Sequence, residues 1–160
     1  MRDTTLCFPV DTDGRILLGR KKRGFGVFKW NGFGGKLEPG ETFRQCAVRE
    51  LWEETGLQAN SDDLELVGLL DFRFIAAPEL NHLGYVYFIR TYAGHITETE
   101  EMEPKWFSVE DLPYEDMWKG DKTWIPMILQ GHKIEGTVTF DEDNDTVYAI
   151  DIHYTDYLSD

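Results

Sequence analysis

The stretch RELWEETGL, Arg49–Leu57, decides how the chain is read, because its acids stand at the wrong end of a helix. Thr42 followed by Gln45 makes a capping box that opens a helix, and Gly56 suits the left-handed position that closes one. Together they predict a helix over about residues 43–55. The C-terminal end of a helix carries partial negative charge and prefers Lys or Arg, yet Glu53 and Glu54 sit in its last turn. At about 100° per residue, Phe43, Cys46, Ala47 and Leu51 share one side, and Glu50, Glu53 and Glu54 fall within the same arc. Glu50 neighbours Glu53 at i+3 and Glu54 at i+4, so each like-charged pair costs about 0.2–0.5 kcal/mol, and more on partial burial. A solvated acidic patch with Arg49 paired to Glu53 leaves the shared face unexplained. A divalent cation explains it: a hard metal needs several converging oxygens, and its charge removes both the repulsion and the dipole penalty.

Upstream of this helix the chain supplies what such an ion works on. Gly34–Gly35 lie in a loop where backbone groups can come close to an ion and its ligand. Phosphates bind Mg²⁺ readily and leave its other positions to carboxylates and water. The run RKKR (Arg20–Arg23) holds four of the 16 Lys and Arg residues. It is either a solvated loop or an anion site for a small phosphate ligand. Carboxylates, a glycine loop and nearby cations make a site for cleaving a phosphate ester or anhydride by activated water.

The rest of the chain reads as one mixed domain. TTLCFPV is a strand, DTDG (Asp11–Gly14) a turn, and RILLGR the returning strand. LELVGLLDFRFI and GYVYFIRTYA are strongly strand-like, TETEEMEP (Thr97–Pro104) is a solvated acidic loop, and KWFSV is a short strand. DKTWIPMILQGHK predicts a second helix, and GTVTFDEDNDTVYAIDIHY a hairpin around the polar turn DEDND. Strands outnumber helices and separate them, which suits a mixed sheet with helices on its faces. With 160 residues the expectation is a single domain, residues 1–160.

Bulk properties exclude several classes. Hydrophobic content of 41% rules out a disordered chain. A net charge of −14 repels a polyanion, so no nucleic acid is expected as partner. No apolar run is long enough for a membrane helix, MRDTTLCFPV lacks the core of a signal peptide, and Cys7 and Cys46 form no redox or metal spacing. A cytoplasmic monomer with no membrane partner is the expectation. His82, His95, His132 and His153 are scattered and read as structural.

Gly35, Glu41, Arg49-Glu50-Leu51, Glu53-Glu54 and Gly56-Leu57 match the Nudix box at nine constrained positions over 23 residues. The chain is similar to the Nudix hydrolases, which cleave a nucleoside diphosphate linked to another moiety on an α/β/α sandwich with a mixed β-sheet. KKRGFGVFKWNGFGGK (Lys21–Lys36), EEMEPKWF (Glu100–Phe107) and DMWKGDKTWIPMILQ (Asp116–Gln130) resemble the mammalian MutT-homologue branch of that family. That branch converts oxidised purine nucleoside triphosphates such as 8-oxo-dGTP and 2-oxo-dATP to monophosphate and pyrophosphate, sanitising the nucleotide pool.

The resemblance implies roles. Glu50, Glu53 and Glu54 match the catalytic, metal-binding acids. The carbonyl of Gly34 matches a backbone metal ligand, and Glu101 a further ligand or base. Mg²⁺, or Mn²⁺ in its place, is the implied cofactor, and a small nucleotide the implied partner. Lys21, Gly35 and Lys36 match positions near the phosphates. Thr5, Phe25, Asn31, Trp118 and Asp121 match the nucleobase pocket. Phe72 and Phe74 either line that pocket or pack in the core, and Trp118 beside KGDK favours a ligand. One departure stands out. The mammalian pattern has two adjacent aspartates where this chain has Gly120–Asp121, so the expectation is a lone, more often ionised Asp121 and a narrower substrate range. Two other readings remain at this level: a Nudix hydrolase of an ordinary dNTP, dinucleoside polyphosphate or nucleotide sugar, and a non-catalytic nucleotide-binding regulator. Regulators of that kind lose box glutamates, and this chain keeps them.

Overall fold

Residues 2–160 are described by a computed structural model. Three strands show the fold by their alternation. In β1 (Arg2–Pro9) Cys7 and Phe8 are both fully buried but enter different cores. In β2 (Ile16–Lys21) Leu17 enters one core while Ile16 and Leu18 enter the other, and in β5 (His82–Ile89) Tyr87 and Ile89 part from Val86 and Phe88 in the same way. Both faces of these strands are therefore covered. One face packs on α1 (Phe43–Thr55) through Ala47 and Leu51, the other on α2 (Asp121–Leu129) through Trp124, Ile125 and Ile128. This is the expected α/β sandwich.

The main sheet is mixed and has the order β1-β5-β4-β7-β8, with β4 at Leu64–Phe74, β7 at Lys133–Phe140 and β8 at Val147–Thr155. β1 runs parallel to β5, β5 antiparallel to β4, β4 parallel to β7, and β7 and β8 form the expected hairpin. A second sheet has the order β3-β2-β6, with β3 at Trp30–Asn31 and β6 at Met102–Phe107. The turn at Asp11–Gly14 forms as expected, with the Gly14 amide donating to the Asp11 carbonyl at 3.1 Å. Its returning strand does not pair along β1, however: apart from one bridge, Val10 to Ile16, β2 joins the second sheet. Its partner β6 also begins earlier than the sequence suggests, at Met102, inside the acidic stretch.

One irregularity in β4 positions the site. Leu64 and Leu66 face the α1 core, opposite Ile89 and Tyr87. Val67 is an extra residue, and the pairing resumes with Gly68 opposite Val86. A bulge of this kind inverts the strand's alternation. From there Leu70, Phe72 and Phe74 face the α2 side.

Candidate active site

The first helix begins and ends where the sequence places it. Thr42 and Gln45 form the reciprocal capping box, and Gly56 closes the helix at φ 83° with its amide on the Trp52 carbonyl. The three glutamates divide, however. Glu50 and Glu54 turn inward, while the Glu53 side chain is 48% exposed. The expectation that all three share the buried arc is corrected, because Glu53 lies at the arc's edge, where the helix surface has already met solvent. Arg49 binds Glu53 at 3.3 Å, but also Glu50 at 3.0 Å and Glu41 at 2.7 Å. It draws the Glu41 carboxyl below its ordinary pKa and relieves only part of the acid crowding.

Glu54 carries the rest. Burial, reinforced by the charge of Glu50, pushes its carboxyl up to about 8, although the Gly34 amide and Lys21 pull the other way. Burial also raises Glu50, against the opposing bond from Arg49. The glycine loop is shaped to admit both acids. The Gly34 amide donates to Glu54 Oε1 at 3.0 Å, and a Cβ on Gly35 would lie 2.6 Å from Glu50 Oε1. A Cβ on Gly34 would overlap the Thr5 carbonyl. Among the described residues the Gly34 carbonyl accepts no protein hydrogen bond, and no three acids converge into a closed cage. Two repelling carboxylates and a free carbonyl still fit a hard divalent cation that keeps its other positions for phosphate and water.

Glu54 opens onto a cavity of about 470 Å³. Lys21, Gly34, Gly35 and Lys36 line it near Glu54, and Phe25, Phe72, Phe74 and Trp118 form its aromatic part. Asn31 and Asp121 complete the wall. Phe74 stacks on Phe140 with ring centres 4.8 Å apart, and Trp118 meets Phe25 at 5.1 Å. The readings of Phe72 and Phe74 as core or as pocket both hold in part: Phe74 is almost fully buried, and both rings face the cavity. Asn31 Oδ1 accepts from the Gly32 amide at 2.8 Å, which leaves its NH₂ to donate.

Asp121 is buried at 3% exposure. Its Oδ1 accepts from Trp124 Nε1 at 3.1 Å, and its Oδ2 is buried without a partner. Burial raises its carboxyl to about 8, with Trp124 and Lys29 opposing. This overturns the expectation of an ionised Asp121: burial alone keeps it neutral, with no adjacent acid needed. Gly120 adopts φ 151°, lies outside this cavity, and would place a Cβ 3.1 Å from Val138 Cγ1. The position of the missing acid therefore faces Val138, not the cavity.

Two further expectations are corrected. Thr5 lines the cavity, but its hydroxyl lies 3.4 Å from Cys46 Sγ, on the α1 side. Glu101 does not line the cavity; it is exposed and held by Arg23, whose guanidinium lowers its carboxyl. The RKKR run is divided between duties: Lys21 lines the cavity, Lys22 pairs with Glu98, and Arg23 holds Glu101. Sequence reasoning missed Lys29, Arg2 and His82 on the cavity wall. Lys29 lies two residues from Asn31 inside the glycine-rich stretch, a signal that went unused. His82 stacks on Phe72 at 5.1 Å only because β5 pairs it there.

The NUDIX domain profile matches residues 1–128. The mouse (Mus musculus) oxidized purine nucleoside triphosphate hydrolase is 43% identical over 142 residues, 89% of this chain and 88% of that protein. The zebrafish (Danio rerio) protein of the same name is 45% identical over 127 residues, 79% of this chain and 80% of that protein. In fold, the mutator MutT protein of Bacillus halodurans superposes with a TM-score of 0.81 at 24% identity, over 95% of this chain and 97% of that one. The profile and the two vertebrate relatives each cover most of the sequence, and the paired box acids meet the glycine loop: the chain belongs to the NUDIX family.

Proposed function

We propose that this protein hydrolyses oxidised purine nucleoside triphosphates, 8-oxo-dGTP and with it 2-oxo-dATP, to the monophosphate and pyrophosphate, with Mg²⁺ as its cation. One observation carries the reading. A single cavity runs from the Glu54 carboxylate and the Gly34–Gly35 backbone to an aromatic chamber that ends at a buried, half-satisfied Asp121. Its volume of about 470 Å³ is of the size that takes a small-molecule ligand. The names of the mouse and zebrafish relatives point the same way.

The roles divide along the cavity. Phe25 and Trp118 offer ring faces to a base, while Asn31 donates from its NH₂ and neutral Asp121 from its unpartnered Oδ2. Lys21 and Lys36 sit where the polyphosphate passes. Glu50, Glu54 and the Gly34 carbonyl would hold the cation, while Glu53 is exposed and Glu101 is held by Arg23. The bound cation would lower the pKa of an attacking water and neutralise charge on the phosphates. Burial holds Glu54 at about 8, so its carboxylate form would be favoured only opposite a bound cation, and the Gly34 amide fixes its orientation. Residues 1–160 act as one domain, in which β7 and β8 complete the main sheet beyond the stretch matched by the family profile. No described helix is long and apolar enough to cross a membrane, and the protein works as a cytoplasmic monomer.

A substrate panel with Mg²⁺ tests the reading. kcat/KM is measured for 8-oxo-dGTP, 2-oxo-dATP, dGTP, ADP-ribose and diadenosine tetraphosphate. The expected result is a preference for the two oxidised purines; a preference for ADP-ribose or the dinucleotide would overturn it.

A further inference from the structure

Lys29 lies in the loop between β2 and β3 and makes two kinds of contact there. Its Nζ sits 5.2 Å from the centre of the Trp118 ring and 3.3 Å from Asp145 Oδ1. Asp145 belongs to the turn between β7 and β8, and its other oxygen, Oδ2, holds Lys119 Nζ at 3.1 Å. Lys119 follows Trp118 directly. One carboxylate thus ties together the glycine-rich loop, the β7–β8 turn and the segment that carries Trp118. The Lys29 side chain is 27% exposed and lines the cavity. Trp118 is packed from below by Phe74 and Phe140, at 6.2 and 5.6 Å, and from the loop side by Phe25. Lys29 and Gly26 add to Phe25 on the loop side of the indole, and of these only Lys29 ties the ring to another part of the chain through an ion pair.

We propose that Lys29, Asp145 and Lys119 form a clamp that holds Trp118 as a preset platform for the purine, making Lys29 a positioning residue for substrate binding. The inference rests on the proposed nucleotide site and adds to it a residue that acts through Trp118. Each ion pair alone is partly exposed and weak. Their effect is geometric, because the shared Asp145 couples two loops that have no other salt bridge between them. A preset indole spares the substrate the cost of ordering it, which appears in binding rather than in the chemical step.

The test uses Lys29→Met, Lys29→Arg, Asp145→Asn and the double variant Lys29→Met/Asp145→Asn, with 8-oxo-dGTP and Mg²⁺. Lys29→Met is expected to raise KM about five- to tenfold, with kcat within about twofold of wild type. Lys29→Arg, which keeps the cation over the ring, should restore KM. The double variant should be no worse than the worse single variant, because both break one clamp. Trp118→Ala, measured alongside, separates the two levels. If it raises KM while Lys29→Met leaves KM unchanged, the clamp is refuted and the base site stands. If Trp118→Ala also leaves KM unchanged, the site reading itself is refuted. A loss of kcat equal to the rise in KM, or failure of Lys29→Arg to rescue, would also overturn the positioning role.

Discussion

The indole of Trp124 and the carboxyl of Asp121 are joined inside the core, with Nε1 donating to Oδ1 at 3.1 Å while Oδ2 is buried with no partner. Burial sets the Asp121 pKa at about 8 against an ordinary 3.8. Between those values the unfolded chain has released a proton that the folded chain keeps. Stability from this group is therefore present below pH 4 and is lost as pH rises toward 8, with a limiting slope of about 1.4 kcal/mol per pH unit. Asp121→Asn removes the titration. Its melting temperature should gain on wild type steadily from pH 4 to pH 7, and a gap that stays constant with pH would show an acid titrating normally. Above pH 8 the wild-type KM for 8-oxo-dGTP should also rise relative to the variant, which always donates.

Glu54→Gln should keep the fold, since the amide resembles the neutral carboxyl that the site already holds without an ion. It should lower kcat by about 10²–10⁴. In chelator the variant should melt no lower than wild type, and Mg²⁺ should raise the wild-type midpoint but not the variant's. Near-normal turnover by Glu54→Gln in Mg²⁺ would rule out the assignment of Glu54 to the ion.

Trp118→Ala tests the aromatic chamber. Sequence reasoning set ligand contact against core packing, but the ring does both: it is half-buried on Phe74 and Phe140 and lines the cavity. The expected cost is about 2 kcal/mol of stability, below the value for a fully buried ring, together with a KM rise of at least about tenfold. Thermal melting and steady-state kinetics on one preparation measure both. A stability loss with KM intact would leave Trp118 as packing alone.

Gly120→Asp would put back the second acid of the mammalian pattern. In the structure the residue has φ 151° and its Cβ would press on Val138. The variant should lose about 1–3 kcal/mol to backbone strain and leave the ratio of kcat/KM for 8-oxo-dGTP to that for 2-oxo-dATP within about twofold of wild type. A larger shift in that ratio would mean position 120 reaches the base after a local rearrangement.

What the sequence made legible were features with local causes. The capping box and Gly56 fix α1 to the residue, and the box spacing places Glu50 and Glu54 against the glycine loop. Phe25, Asn31, Trp118 and Asp121 all reach the cavity that their resemblance to a family pattern implies. What stayed hidden has non-local causes. The split into two sheets depends on β6 capturing β2, across more than 80 residues. The charge state of Asp121 depends on how deeply α2 seats it, not on its neighbour in sequence. Lys29 becomes legible only once Asp145, far along the chain, is seen beside it.

The extra residue Val67 gives β4 two reading frames. Before it, even-numbered side chains serve the α1 core, and after it, even-numbered side chains face the α2 side, where Phe72 and Phe74 line the cavity. The chemistry offered to a ligand by Phe72 and Phe74 is thus set by a count of residues upstream as much as by their identity. Loss of Val67 itself would leave Leu66 opposite Tyr87 and Gly68 opposite Val86, so the aromatic wall would stay in place, whereas loss of one residue from Gly68–Leu70, with the pairing before it held, would turn Asp71 and Arg73 to the cavity side. Related chains that differ by one residue after the bulge would present a different pocket under the same box.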